Sequence, residues 1–229
     1  MKTIGVLGGL GPQATMDFEA RLHRVSQQRI PQRDNRGYPP LIVYYCRFAP
    51  MLVDEKGIPL EPQQPDPRLL QAAQWLGAVA NFLVIPANAP HLFRQQLRQA
   101  ADCPVLSMLD LTLAEVERRG WRRVGVLGLR EPIVYSWPLA ERGLEVEVIH
   151  GELRQRLDEA IYAVMEGRDG VAEAAAASEA ITALRQRPVD GIILGCTELP
   201  LLVRETDADP DIINPGQLLA EAAVQMAME

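Results

Sequence analysis

Short apolar runs alternate along this chain with longer stretches of helical period. Residues 3–7, 41–45, 81–86, 105–108, 123–127, 145–149 and 191–194 read as strands. Between them, residues 14–28, 68–80, 111–119, 153–165 and 171–187 read as helices, with apolar positions such as Leu69, Leu70, Ala73, Leu76 and Ala80 on one face. The run at 81–86 is apolar through its centre, not alternating. A strand of that kind is buried on both faces, the mark of a parallel sheet covered by helices. Strand and helix in alternation predict a doubly wound α/β architecture with ligands at the carboxyl ends of the strands. Function is therefore sought in the loops that follow the strands.

The pattern carries a weak internal repeat. Gly5-Val6-Leu7-Gly8-Gly9 is echoed by Gly125-Val126-Leu127-Gly128-Leu129, and Val84-Ile85-Pro86-Ala87-Asn88 by Ile193-Leu194-Gly195-Cys196-Thr197. Two similar lobes facing each other across a cleft is the simple reading; a chance likeness of α/β strands is the plain alternative. Residues 54–67 are rich in Pro, Gln and acidic side chains without period, and read as an exposed loop, either a lid or a long connection.

Composition narrows the partners. The net charge of −7 argues against a nucleic-acid partner, which calls for a basic face. The arginines at 94–98 and 118–123 read as solvated helix faces. No run of about 18 apolar residues is present, so no membrane span is expected. The first apolar stretch ends in glycines, not in a signal cleavage site. Three widely spaced cysteines, Cys46, Cys103 and Cys196, fit a reducing cytoplasm and lack the paired spacing of a metal site.

Two loops attract chemistry. In Gly8-Gly9-Leu10-Gly11-Pro12, glycines permit a tight turn before a helix whose first N–H groups favour an anion. The spacing does not restore the G-x-G-x-x-G of a dinucleotide site. In Gly195-Cys196-Thr197-Glu198, a cysteine at a strand end before a helix is placed for a lowered thiol pKa, with Thr197 beside it as a hydrogen-bonding group. The plain alternative for Cys196 is a small buried hydrophobe.

Together, Gly8-Gly9-Leu10-Gly11-Pro12-Gln13-Ala14-Thr15, the segment Pro86-Ala87-Asn88-Ala89-Pro90-His91, and Gly195-Cys196-Thr197-Glu198 resemble the three signatures of the aspartate/glutamate racemase family. The resemblance implies two flavodoxin-like lobes with mainly parallel sheets, an active-site cleft between them, a homodimer, and no cofactor or metal. The expected division is 1–97 plus 210–229 for one lobe and 98–209 for the other. The resemblance also implies that one thiol removes the substrate α-proton while a second returns a proton to the opposite face. A thiol with a reference pKa near about 8.5 serves either role close to neutral pH. Gly9, Leu10, Gly11, Asn88, Ala89, Thr197 and Glu198 fall on the family's substrate-binding positions.

The likeness breaks at one point. The family segment reads Pro-Cys-Asn-Thr-Ala-His, whereas Ala87 stands here for the first cysteine and Ala89 for the threonine. Cys196 is then the one thiol at a catalytic position. His91 is a candidate acid/base or a capping group. Gly128-Leu129-Arg130-Glu131-Pro132 replaces the family's threonine-rich loop, and Met165-Glu166 lies where a basic residue is usual. Arg47 and Arg130 are the candidate carboxylate cations. Several departures together read as natural divergence, not a single designed change at Ala87. The expectation is a cofactor-independent racemase-like enzyme for aspartate, glutamate or a related amino acid. The alternatives are a one-cysteine decarboxylase or isomerase on the same scaffold, and a non-catalytic carboxylate-binding homologue.

Overall fold

The computed structural model describes residues 1–203 and 209–229. Contacts divide the chain into two compact units, Met1–Met108 with Gly216–Glu229, and Leu109–Pro215.

The first unit is built on β1 (Ile4–Gly8), β2 (Leu41–Tyr45), β3 (Phe82–Val84) and β4 (Val105–Leu106), all parallel in the order β2-β1-β3-β4. The order is that of a flavodoxin-like sheet, whose strand direction of travel reverses between β1 and β3. Every residue of β1 and β3 is buried, as expected for strands covered on both faces. Helices α1 (Pro12–Arg29), α2 (Pro67–Gly77) and α3 (Arg94–Ala101) follow the first three strands. Leu69, Ala73 and Leu76 of α2 and Leu97 of α3 join Leu7, Leu83 and Ile85 in one core cluster. The helix α9 (Pro215–Met228) returns to this unit at the end of the chain. Its Ala227 carbonyl accepts from the Lys2 N–H at 2.8 Å, and Gln217 Oε1 accepts from Arg21 Nη1 at 3.4 Å.

The second unit repeats the plan. Strands β5 (Arg123–Leu127), β6 (Glu145–Glu147), β7 (Gly191–Leu194) and β8 (Ile212–Ile213) are parallel in the order β6-β5-β7-β8. Helices α4 (Met108–Arg119), α5 (Ile133–Glu141), α6 (Gly151–Met165), α7 (Val171–Arg185) and the single turn α8 (Leu199–Leu202) surround it. Leu157, Ile161, Ile181 and Leu184 from α6 and α7 pack with Ile192 and Leu194 of β7. The sheet orders make the internal repeat structural: β1 corresponds to β5, and β3 to β7.

The structure corrects several sequence expectations. β4 belongs to the first sheet, so that unit runs to Met108, past the boundary at 97. β4 is shorter than 105–108 because Met108 opens α4, and β6 stops at Glu147 ahead of α6. α1 starts at Pro12, whose fixed φ and missing N–H suit a first helical turn. The arginines at 118–123 do not share one helix face: α4 ends at Arg119, Gly120 turns with φ 69°, and Arg123 opens β5. Residues 54–67 fall mostly within a hairpin-like excursion, with antiparallel bridges from Met51 to Pro65 and from Val53 to Pro59. Asp54 Oδ1 closes its tip by accepting from the N–H groups of Lys56 and Ile58. Among the described residues, no helix is long and apolar enough to cross a membrane.

Candidate active site

The parallel register puts the loops after β1, β2 and β3 at one edge of the first sheet. Gly9 turns the chain there with φ 76°. A Cβ on it would lie 2.6 Å from the Cys46 carbonyl oxygen and 2.7 Å from the Cys46 nitrogen, so only glycine fits. The fully buried Thr15 hydroxyl locks the turn: it accepts from the Gly9 N–H at 2.8 Å and donates to the Gly11 carbonyl at 3.0 Å. The Gly9 N–H is thus consumed within the loop, and Pro12 has none. The Thr15 hydroxyl holds the glycine turn as a fixed corner at the start of α1. Arg47, after β2, is exposed and lays its guanidinium 5.0 Å from the centre of the Tyr45 ring.

After β3 the chain passes through buried Ala87 into a 3-10 turn at Ala89–Phe93, with Asn88 as its N-cap. His91 closes this segment. It is 2% exposed, with Nδ1 2.9 Å from the Ala87 carbonyl and Nε2 accepting from the Met108 N–H at 2.9 Å. An acceptor at Nε2 fixes the proton on Nδ1, which donates to Ala87. Both nitrogens are engaged with backbone. The catalytic role weighed for His91 gives way to a positioning one: it fastens the Ala87 loop to the start of α4.

In the second unit, β5 and β7 are paired through Leu127 and Leu194, so their following loops lie side by side. The Gly195 N–H donates to the Leu127 carbonyl at 2.6 Å, and a Cβ on Gly195 would lie 2.7 Å from that same oxygen. The chain then presents Cys196, 7% exposed, whose thiol donates to Glu198 Oε2 at 3.0 Å. Thr197 Oγ1 donates to the same oxygen at 3.2 Å. Glu198 is 1% exposed, and its Oε1 has no hydrogen-bond partner.

These contacts reverse the expectation of an acidic thiol. Burial, followed by the Glu198 charge and hydrogen bond, pushes the Cys196 thiol well above its ordinary range. Backbone N–H groups of Glu198 and Leu129 pull the other way but are outweighed. α8 is a single turn, too short to offset the nearby carboxylate. Burial also raises Glu198, against the hydrogen bonds from Cys196 and Thr197. The raised Cys196 thiol is thus held as a hydrogen-bond donor to the buried Glu198 carboxyl group.

Arg130 stands exposed in the loop after β5 with φ 52°, its N–H donating to Asp158 Oδ1 at 2.8 Å. Among the described residues neither Arg130 nor Arg47 forms an ion pair. Sequence reasoning missed Tyr135, a fully buried phenol raised by burial and by the nearby Cys196, and hydrogen-bonded to Thr112. It sits on α5, whose internal Pro138 disguised the helix.

Residues 7–223 match the Asp/Glu/hydantoin racemase family. The chain belongs to that family. The broad specificity amino-acid racemase RacX of Bacillus subtilis (strain 168) is 24% identical over 224 residues, covering 96% of each chain. Among solved structures, the Picrophilus torridus aspartate racemase is similar with TM-score 0.81 and 20% identity, over 100% of this chain and 95% of that one. PH1733, an aspartate racemase homologue from Pyrococcus horikoshii OT3, matches with TM-score 0.76 and 26% identity over the whole of both chains. The two-sheet architecture is thus that of racemase structures, and the family's members are racemases and related isomerases.

Proposed function

We propose that the protein is a cofactor-independent enzyme that moves a proton at the α-carbon of aspartate, glutamate or a related amino acid, with Cys196 as the acid/base on one face. The observation that carries this reading is the 3.0 Å hydrogen bond from the Cys196 thiol to Glu198 Oε2, at the carboxyl edge of β7. It supplies a proton path in both directions. As a base, Cys196 passes its proton to the Glu198 carboxylate and takes the substrate α-proton as thiolate. As an acid, the thiol returns a proton to the carbanion and Glu198 releases its own back to sulfur. Burial raises Glu198 from the carboxylate range, which makes it a better proton acceptor from sulfur than an exposed carboxylate. Thr197 keeps Oε2 oriented. Arg130, on the adjacent loop, is the cation for a substrate carboxylate.

Ala87 favours a second reading of the stereochemistry. It has no titratable atom, and His91 is turned into its own backbone, so the second motif contributes no acid/base side chain of its own. A single thiol serves reactions with protonation on one face, as in a decarboxylation or isomerisation. The two readings separate in D2O with single enantiomers of aspartate, glutamate and several apolar amino acids, followed by NMR and chiral chromatography. Exchange with racemisation supports the racemase, water acting on the second face. Exchange with retention supports one-face chemistry. No exchange in the wild type or in Ala87→Cys overturns the racemase reading and leaves a decarboxylase-type reaction or a carboxylate-binding homologue.

A further inference from the structure

The second unit holds a cavity of about 370 Å³ that the proposed chemistry does not use. It opens at the amino ends of β5 and β6, between α4, the turn into β5 and the end of α5. β5 has five residues, so about 16 Å of strand separates this edge from the loop beside Cys196. The volume is at the low end of small-molecule pockets.

Its wall is apolar. Val116 of α4, Trp121 of the turn and Leu139 of α5 are buried, and all three line it. Trp121 is held in place because its ring lies against Gly191, where a Cβ would come within 2.2 Å. The rim is charged. Arg122, Arg142 and Glu117 line it, and among the described residues none of the three forms an ion pair. Neighbouring arginines are matched: Arg118 and Arg119 bind Glu115, and Arg123 binds Glu145. Among the described residues, the Arg142 guanidinium makes one hydrogen bond, from Nη1 to the Pro138 carbonyl at 3.0 Å.

We infer that this cavity binds a small carboxylate with an apolar body. The body would lie on Trp121, Val116 and Leu139, and the carboxylate would meet the guanidinium groups of Arg122 and Arg142, whose planar forks suit it. Two sources share that chemistry, an apolar α-amino acid and its deaminated acid. Glu117, an acceptor on the same rim, favours the amino acid by taking its ammonium group.

Phenylalanine and 3-phenylpropionate are the probes, titrated into the full chain while the Trp121 indole N–H signal is followed by NMR. Saturable shifts at millimolar concentration or below are expected for at least one of them. Unchanged affinity in Cys196→Ser separates this site from the one proposed above. Arg122→Ala with Arg142→Ala should weaken binding at least tenfold, while Arg122→Lys with Arg142→Lys, which keeps the charges and the fold, should retain part of it. Tighter binding of phenylalanine that is lost in Glu117→Gln assigns the amino acid; tighter binding of phenylpropionate assigns the deaminated acid. Silence of the Trp121 signal toward both probes, or binding that survives removal of both arginines, overturns the inference.

Discussion

Ala87 and Cys196 occupy the same position in two sheets of the same order. Val84 of β3 pairs with Val6 of β1, and Ile193 of β7 pairs with Val126 of β5. Ala87 and Cys196 each stand three residues beyond those partners, at the carboxyl edge beside the turn of their own sheet. The two halves thus retain one architecture while only one retains a thiol there. Ala87→Cys is expected to raise racemisation at least tenfold over wild type in chiral chromatography. Cys196→Ser should abolish α-proton exchange in both backgrounds; full exchange in that variant would exclude thiol chemistry.

Glu198→Gln removes the charge that, after burial, does most to raise the Cys196 thiol. The thiol value should fall, and iodoacetamide should label Cys196 faster at pH 8 than in wild type, as read by mass spectrometry. The same substitution removes the proton acceptor, so α-proton exchange should drop by a factor of about 100. Faster labelling with undiminished exchange would show that Glu198 tunes the thiol without carrying its proton.

The other two thiols set the background for that measurement. Burial, with Asp66 nearby, pushes Cys46 to about 11, and Cys103 is raised by burial and by Asp102. Cys46 is fully buried and Cys103 is only partly so. In wild type, Cys103 should label first, and Cys46 only on unfolding.

His91→Ala should be a folding variant, not a chemical one. It leaves the buried Ala87 carbonyl and Met108 N–H without their partner, at a cost of about 2–4 kcal/mol. Thermal denaturation measures the loss. An alkaline or acidic limb of an exchange pH profile that disappeared in this variant, with the melting temperature intact, would return His91 to the chemistry.

Glu115 offers a pH-dependent test of the second unit. Hydrogen bonds from Arg118, and then Arg119, hold its carboxyl down at about 2 against an ordinary 4.5. A depressed folded-state value means the stabilisation is fully present above about 4.5 and is lost as the pH falls toward 2. Glu115→Gln should lower stability by about 1 kcal/mol at pH 7 and by progressively less as the pH falls toward 2, measured by urea denaturation.

Sheet class and the motif loops were legible in the sequence because burial on both faces leaves apolar runs, and because glycines crowd where backbone meets backbone. Gly9 against Cys46 is such a case. The hidden parts depend on tertiary partners. His91 looked available until Met108, from a distant segment, claimed its second nitrogen. Cys196 looked acidic on helix-terminus grounds, and only the folded loop turned Glu198 onto its sulfur. The two-residue strand β8 is too short to leave a period, and Pro138 interrupts the period of α5.

The return of α9 to the first unit orders events during synthesis. Leu109–Pro215 is continuous and can complete its sheet as soon as it has left the ribosome. Met1–Met108 emerges earlier, yet it lacks the helix whose Ala227 carbonyl takes the Lys2 N–H until residues 216–229 have followed the second unit. The first half of the nascent chain therefore waits on the second, and a stop codon before Gly216 would strand it unfinished beside a completed neighbour.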